Sequence, residues 1–198
     1  MSAFKQSIER QIINSYGISY KKSVLSGISN TDSGLDNFKG VQIPQFEDIQ
    51  VTVNVNVNIR PIADASHVAD DEHLIQILDD SNSKVNGTYG RGEIGGKNVY
   101  LNAKYIPNMI GNNDENTVPH ELGHTAGLRH IDKEYESFWD LFGGNSQFYN
   151  PTKQKANSFN IMFSGSSPYM NDKTSTQINR EQIETIKAKY NSGGLNQG

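Results

Sequence analysis

The 198-residue chain contains no cysteine. That excludes a disulfide framework, a thiolate nucleophile and any zinc site built on thiolates. Long apolar runs are also missing. None approaches the roughly 20 residues that a membrane-spanning helix needs, so no membrane span is expected. Basic charge is scarce and scattered: 18 Lys and Arg stand against 22 Asp and Glu, for a formal net charge of -4. A nucleic-acid binder ordinarily carries a basic stripe, and none is present, so no nucleic-acid partner is expected. The opening residues, Met-Ser-Ala-Phe-Lys-Gln-Ser-Ile-Glu-Arg, lack the apolar core of a signal peptide. The expectation is therefore a chain that is exported, if at all, as part of a larger polypeptide.

What is present is enough to fold. The 9 Tyr, 8 Phe and 1 Trp are too many for a disordered chain, and this length can bury a core without covalent staples. One domain over residues 1–190 is expected, monomeric, with residues 191–198 as a tail. Phe4, Ile8, Ile12 and Ile13 have helical spacing over residues 4–16. Residues 17–48 are rich in Gly, Ser, Asn and Asp and read as irregular. Ile49 to Ile59 alternates strictly between apolar and polar residues, the pattern of a strand with one covered face. Pro61 ends it. His73–Leu78 and Asn98–Tyr105 read as further strands, the second entered through a Gly-rich loop, Gly90 to Gly96. Thr117–Leu128 reads as a helix, capped by Asn116 or Thr117, with Pro119 in its first turn. Residues 131–158 look loop-rich, with Phe138, Trp139 and Phe142 as aromatic anchors. Residues 176–190 read as a closing helix with Ile178, Ile183, Ile186 and Tyr190 near one face.

Three of the five histidines fall within eleven residues, in His120-Glu-Leu-Gly-His124-Thr-Ala-Gly-Leu-Arg-His130. On a helix, His120 and His124 lie one turn apart on the same face, so both can reach one metal ion. Gly127 permits a left-handed helix stop, after which the chain can turn and bring His130 in from another side. Three neutral imidazoles leave a Zn2+ ion its full charge and one open position for water, which becomes more acidic there. Glu121, next to His120 and not itself a ligand, is placed to take that water's proton.

This stretch resembles the long zinc-binding motif of the metzincin metalloendopeptidases. That clan also has a methionine in a tight turn beneath the metal, and Asn160-Ile-Met162-Phe-Ser164 lies at a matching distance downstream. The resemblance implies a zincin-like α+β fold. It would have a twisted mixed sheet with an antiparallel edge strand, a backing helix, an active-site helix and a loop-rich C-terminal subdomain ending in a helix. The N-terminal subdomain would reach to about residue 127 and the C-terminal one from 128 to 190. It implies zinc ligation by His120, His124 and His130, a general-base role for Glu121, and Met162 as the floor of the site. It also implies a protein or peptide substrate that adds as a strand to a sheet edge. Asn98, Val99, Tyr100, Leu101 and Asn102 are the candidates for that edge, and Tyr169 is a further substrate-binding candidate. Some metzincin families carry a tyrosine two residues after the methionine; here that residue is Ser164. Two other readings stay open: a proteolytic toxin or effector domain of a larger secreted protein, and a non-catalytic zinc-binding module. A Ca2+ site within Asn112-Asn-Asp-Glu115 is conceivable from its oxygen ligands. His67 and His73 read as surface or packing residues.

Overall fold

Four helices and five strands make this an α+β protein among the described residues. The computed structural model describes residues 2–30, 42–132, 158–165 and 167–195. In chain order the elements are α1 (Ser2–Tyr16), β1 (Ser19–Asn30), β2 (Gln42–Thr52), β3 (Leu74–Leu78), β4 (Gly90–Gly92), β5 (Asn98–Asn102), α2 (Ile106–Ile110), α3 (Thr117–Thr125) and α4 (Arg180–Asn191). The chain divides into two compact units. One is Met1–Tyr16 with Val55–Gly198, and the other is Gly17–Asn54.

In the larger unit, the helical spacing of α1 puts Ile8 into a core with Val99, Leu101, Met109 and Val118, flanked by Phe4, Ile12, Ile59, Ile75, Ile106 and Leu122. The neighbouring stripe of α1 is polar yet buried, and it is tied down by hydrogen bonds. Ser7 Oγ donates to the Met109 carbonyl at 2.6 Å, and Gln11 Nε2 donates to the Asp114 carbonyl at 2.8 Å. Tyr16 closes the helix by donating its hydroxyl to the Pro119 carbonyl at 2.7 Å.

The sheet of this unit has the order β3-β5-β4. β5 runs parallel to β3, with Leu74 opposite Asn98 and Leu78 opposite Asn102. It runs antiparallel to β4, with Gly90 opposite Leu101 and Gly92 opposite Val99. The expectation that Asn98–Asn102 forms a sheet edge is thereby corrected: it is the inner strand. Its middle residues are accordingly buried, Val99 and Leu101 completely. The antiparallel strand is β4, which lies within the segment read as a Gly-rich loop. The strand expected to continue to Tyr105 stops at Asn102, whose side chain accepts from Lys104 N and starts a short 3-10 turn.

The smaller unit is a long antiparallel hairpin, β1 with β2, in register from Ser19 opposite Thr52 to Asn30 opposite Gln42, with a bulge between Leu25 and Gly27. Residues 17–48 are therefore not irregular throughout. The polar sequence and the bulge hide the period of β1. The alternating run ends as a ladder at Thr52, seven residues before Ile59, because Val53 N to Ile18 O is its last rung. The alternation itself continues, with Val55, Val57 and Ile59 half-buried and the intervening Asn54, Asn56 and Asn58 exposed. It reports a covered face rather than a paired strand.

α3 starts as expected at Thr117, but neither Asn116 nor Thr117 caps it with its side chain. Asp114 does so instead: its Oδ1 accepts from Asn116 N at 3.1 Å and Thr117 N at 2.9 Å. Asn116 turns its amide to the carbonyls of Ile161, at 3.2 Å, and Ser175. α4 begins four residues later than expected, at a capping box formed by Asn179 and Gln182. Phe138, Trp139 and Phe142 lie outside the described residues, as do residues 196–198.

Asp114→Ala removes the acceptor for two helix N–H groups. It should cost about 1–2 kcal/mol, read as a lower urea midpoint with an unchanged slope.

Candidate metal centre

His120 and His124 occupy one face of α3, and both are buried. The helix then ends in a Schellman motif. Leu128 N donates to the Gly123 carbonyl at 2.9 Å and Gly127 N to the His124 carbonyl at 2.7 Å. Gly127 has φ 79°, and a Cβ there would run into Lys189 Nζ. The backbone conformation calls for glycine, and the Lys189 side chain fills the space it leaves. The reversal brings His130 back over the helix, with Nε2 3.1 Å from His120 Nε2 and 3.2 Å from His124 Nε2. The three rings form the one group of three or more metal-type side chains among the described residues.

The donor set fits a tetrahedral ion. Ligands at 2.0–2.1 Å in tetrahedral directions stand roughly 3.3 Å apart, close to the spacing found. The ring orientations fit as well. His120 Nδ1 donates to the Ile161 carbonyl at 2.6 Å, and His124 Nδ1 donates to the Leu128 carbonyl at 2.8 Å. A carbonyl only accepts, so each neutral ring keeps its proton on Nδ1 and turns its Nε2 lone pair inward. Burial lowers the pKa of both imidazoles, with the charge of His120 adding to the effect on His124. The neutral form that binds metal is the favoured one. His130 can offer a hydrogen to one neighbouring lone pair but not to both, whereas a single cation serves all three nitrogens.

Glu121 is 8% exposed and its Oε2 accepts from Gly92 N at 2.5 Å. Burial pushes its carboxyl up to about 7, opposed by His124 and the Gly92 N–H. The close approach of β4 depends on glycine. A Cβ on Gly92 would overlap the Glu121 carbonyl, and one on Gly90 would meet Thr117 Cγ2 at 2.9 Å and Glu121 Cγ at 3.2 Å. This pair was missed as a site feature, although a Gly-x-Gly inside a strand is a signal of close backbone approach.

Met162 is fully buried and its Sδ fills the space where Gly123 has no side chain. Its own carbonyl accepts from Ile131 N at 3.0 Å, and the preceding carbonyl, Ile161, orients His120. Asp132, also unforeseen, holds this turn by accepting from Ser164 N at 3.0 Å.

The remaining candidates are engaged as follows in the described residues. Asn98–Asn102 has both main-chain edges paired, so strand addition by a substrate has no edge there. Its polar side chains are also engaged within the sheet region. Asn98 Nδ2 and the Tyr100 hydroxyl each donate to Glu93 at 2.6 Å, and Asn102 Nδ2 donates to Asp80 at 2.7 Å. Tyr169 is 36% exposed. His67 is exposed and His73 half-buried, both apart from the group of three histidines. The run Asn112–Glu115 does not gather its own acids around an ion: Asp114 Oδ1 caps α3, and Glu115 Oε1 accepts from Arg10 at 2.9 Å.

No family model, curated protein or solved structure matches the chain.

Chelation followed by dialysis should lower the unfolding temperature, and about one equivalent of Zn2+ should restore it. His124→Ala should abolish the zinc-dependent part. Gly127→Ala should cost about 1–2 kcal/mol from its left-handed φ alone, checked by denaturant unfolding with zinc present.

Proposed function

We propose that the protein is a zinc-dependent endopeptidase, with His120, His124 and His130 as metal ligands and Glu121 as general base. One observation carries the reading: three imidazole nitrogens converge while a buried carboxylate stands on the same helix turn without joining them. A structural zinc site normally takes four protein ligands. No fourth His, Asp or Glu joins the group among the described residues, and such a site has no use for a carboxylate whose burial is costly.

Imidazole ligands and tetrahedral spacing suit zinc. Bound there, zinc would supply Lewis-acid chemistry, acidifying water and polarising a carbonyl oxygen. The chain's own residues do the rest. The Ile161 and Leu128 carbonyls fix the rings of His120 and His124. Gly92 N fixes one oxygen of Glu121. The other oxygen takes a proton from the attacking water and returns it to the leaving amine, so the carboxylate ends as it began. Met162 fills the space left by Gly123 on α3.

The test is Glu121→Gln in zinc-loaded protein. It should keep one equivalent of zinc and lose roughly 10²- to 10⁴-fold in the rate of casein cleavage. Cleavage at the wild-type rate would remove Glu121 from the mechanism.

A further inference from the structure

The two loops Asn112–Asn116 and Asn171–Ser175 are far apart in sequence and joined in space. Glu115 N donates to the Asp172 carbonyl at 2.8 Å, and the Asn116 amide donates to the Ser175 carbonyl. Both loops are rich in oxygen donors: Asn-Asn-Asp-Glu-Asn in one and Asn-Asp-Lys-Thr-Ser in the other.

Asp114 is fully buried. Its Oδ1 is used by the two N–H groups of α3. Its Oδ2 is buried with no hydrogen-bond partner. Gln11, whose Nε2 donates to the Asp114 carbonyl, leaves its own Oε1 buried and likewise without a donor. Asp172 lies near enough that the charge of Asp114, after burial, raises the pKa of its carboxyl. Tyr89 feels both carboxylates and shares a hydrogen bond with Asn108, whose carbonyl accepts from Asn113 N and Asp114 N. Arg10, which reaches this loop, is already paired with Glu115.

A lone buried carboxylate oxygen calls for a donor or a cation. A water molecule would meet the hydrogen-bonding need of Asp114 but not the charge of two neighbouring carboxylates. A hard cation meets both, and oxygen ligands from carboxylate, amide and backbone are what Ca2+ takes. We propose that Asp114 and Asp172 form a second metal site, for Ca2+, which clamps the Asn171–Ser175 loop onto the entry of α3. It is distinct from the histidine centre in ligand type and does not depend on the peptidase reading. The neighbouring acid of the 112–115 run, Glu115, is engaged through Oε1 by Arg10. The second carboxylate comes instead from the 171–175 loop, which the sequence alone gave no reason to connect.

The experiment uses full-length protein with zinc already bound. Ca2+ should raise the unfolding temperature with half-effect at about 10⁻⁴–10⁻³ M, as for sites with few charged ligands. Tb3+ should bind in its place, show luminescence sensitised by tyrosine, and be displaced by Ca2+. Asp172→Asn, which leaves the cap of α3 intact, should weaken both responses at least roughly tenfold without releasing zinc. Asp114→Asn tests the same ligand set if it folds. Absence of both the Ca2+ shift and the Tb3+ signal, or equal responses in wild type and Asp172→Asn, would overturn the proposal and leave Asp114 Oδ2 to water.

Discussion

With His130 Nε2 within 3.2 Å of both His120 Nε2 and His124 Nε2, a ring hydrogen can serve one of the two contacts and leaves the other as lone pair against lone pair, which a cation between them relieves. The fold spends much of its local structure on enforcing that approach. Helix periodicity stacks His120 over His124, the left-handed Gly127 reverses the chain, and two backbone carbonyls turn the inner rings so that their lone pairs face inward. Each of these holds in place only because something else is packed against it. Ile161, which orients His120, is fully buried beside Met162. Leu128, which orients His124, is itself part of the helix stop.

Close backbone approach is the second constraint. Missing side chains at Gly90, Gly92, Gly123 and Gly127 let a strand, a methionine and a lysine press directly on α3. The strand delivers an N–H to Glu121, and the methionine fills the space at Gly123. The polar residues of α1 satisfy the buried carbonyls of Met109 and Asp114, ahead of this helix, and Tyr16 ties α1 to the helix itself at Pro119. The helix carrying the motif is thus contacted by α1, β4, β5 and the Met162 turn.

The motif and its local geometry were legible because helical spacing, a glycine stop and a following histidine are local signals. The hydrophobic period likewise located α1, α3 and α4 to within a few residues. Long-range partners were not legible. Nothing in Gly90–Gly92 announces that its amide meets Glu121, and nothing in Asp114 announces that it, rather than Asn116, caps α3. Strand order was misread for the same reason. The alternation of Asn98–Asn102 is compatible with an edge or an inner strand, and only its pairing with both β3 and β4 decides. In Val53–Ile59 the alternation recorded one covered face where no ladder exists.

The central claim is that the three rings share one metal ion and leave it an open position. X-ray absorption at the zinc edge of the protein loaded with one equivalent tests it most directly. The account predicts three imidazole nitrogens at about 2.0–2.1 Å and a single light, non-imidazole neighbour, falling to two imidazoles in His130→Ala. A spectrum with one imidazole or none, or one unchanged by that substitution, would contradict it.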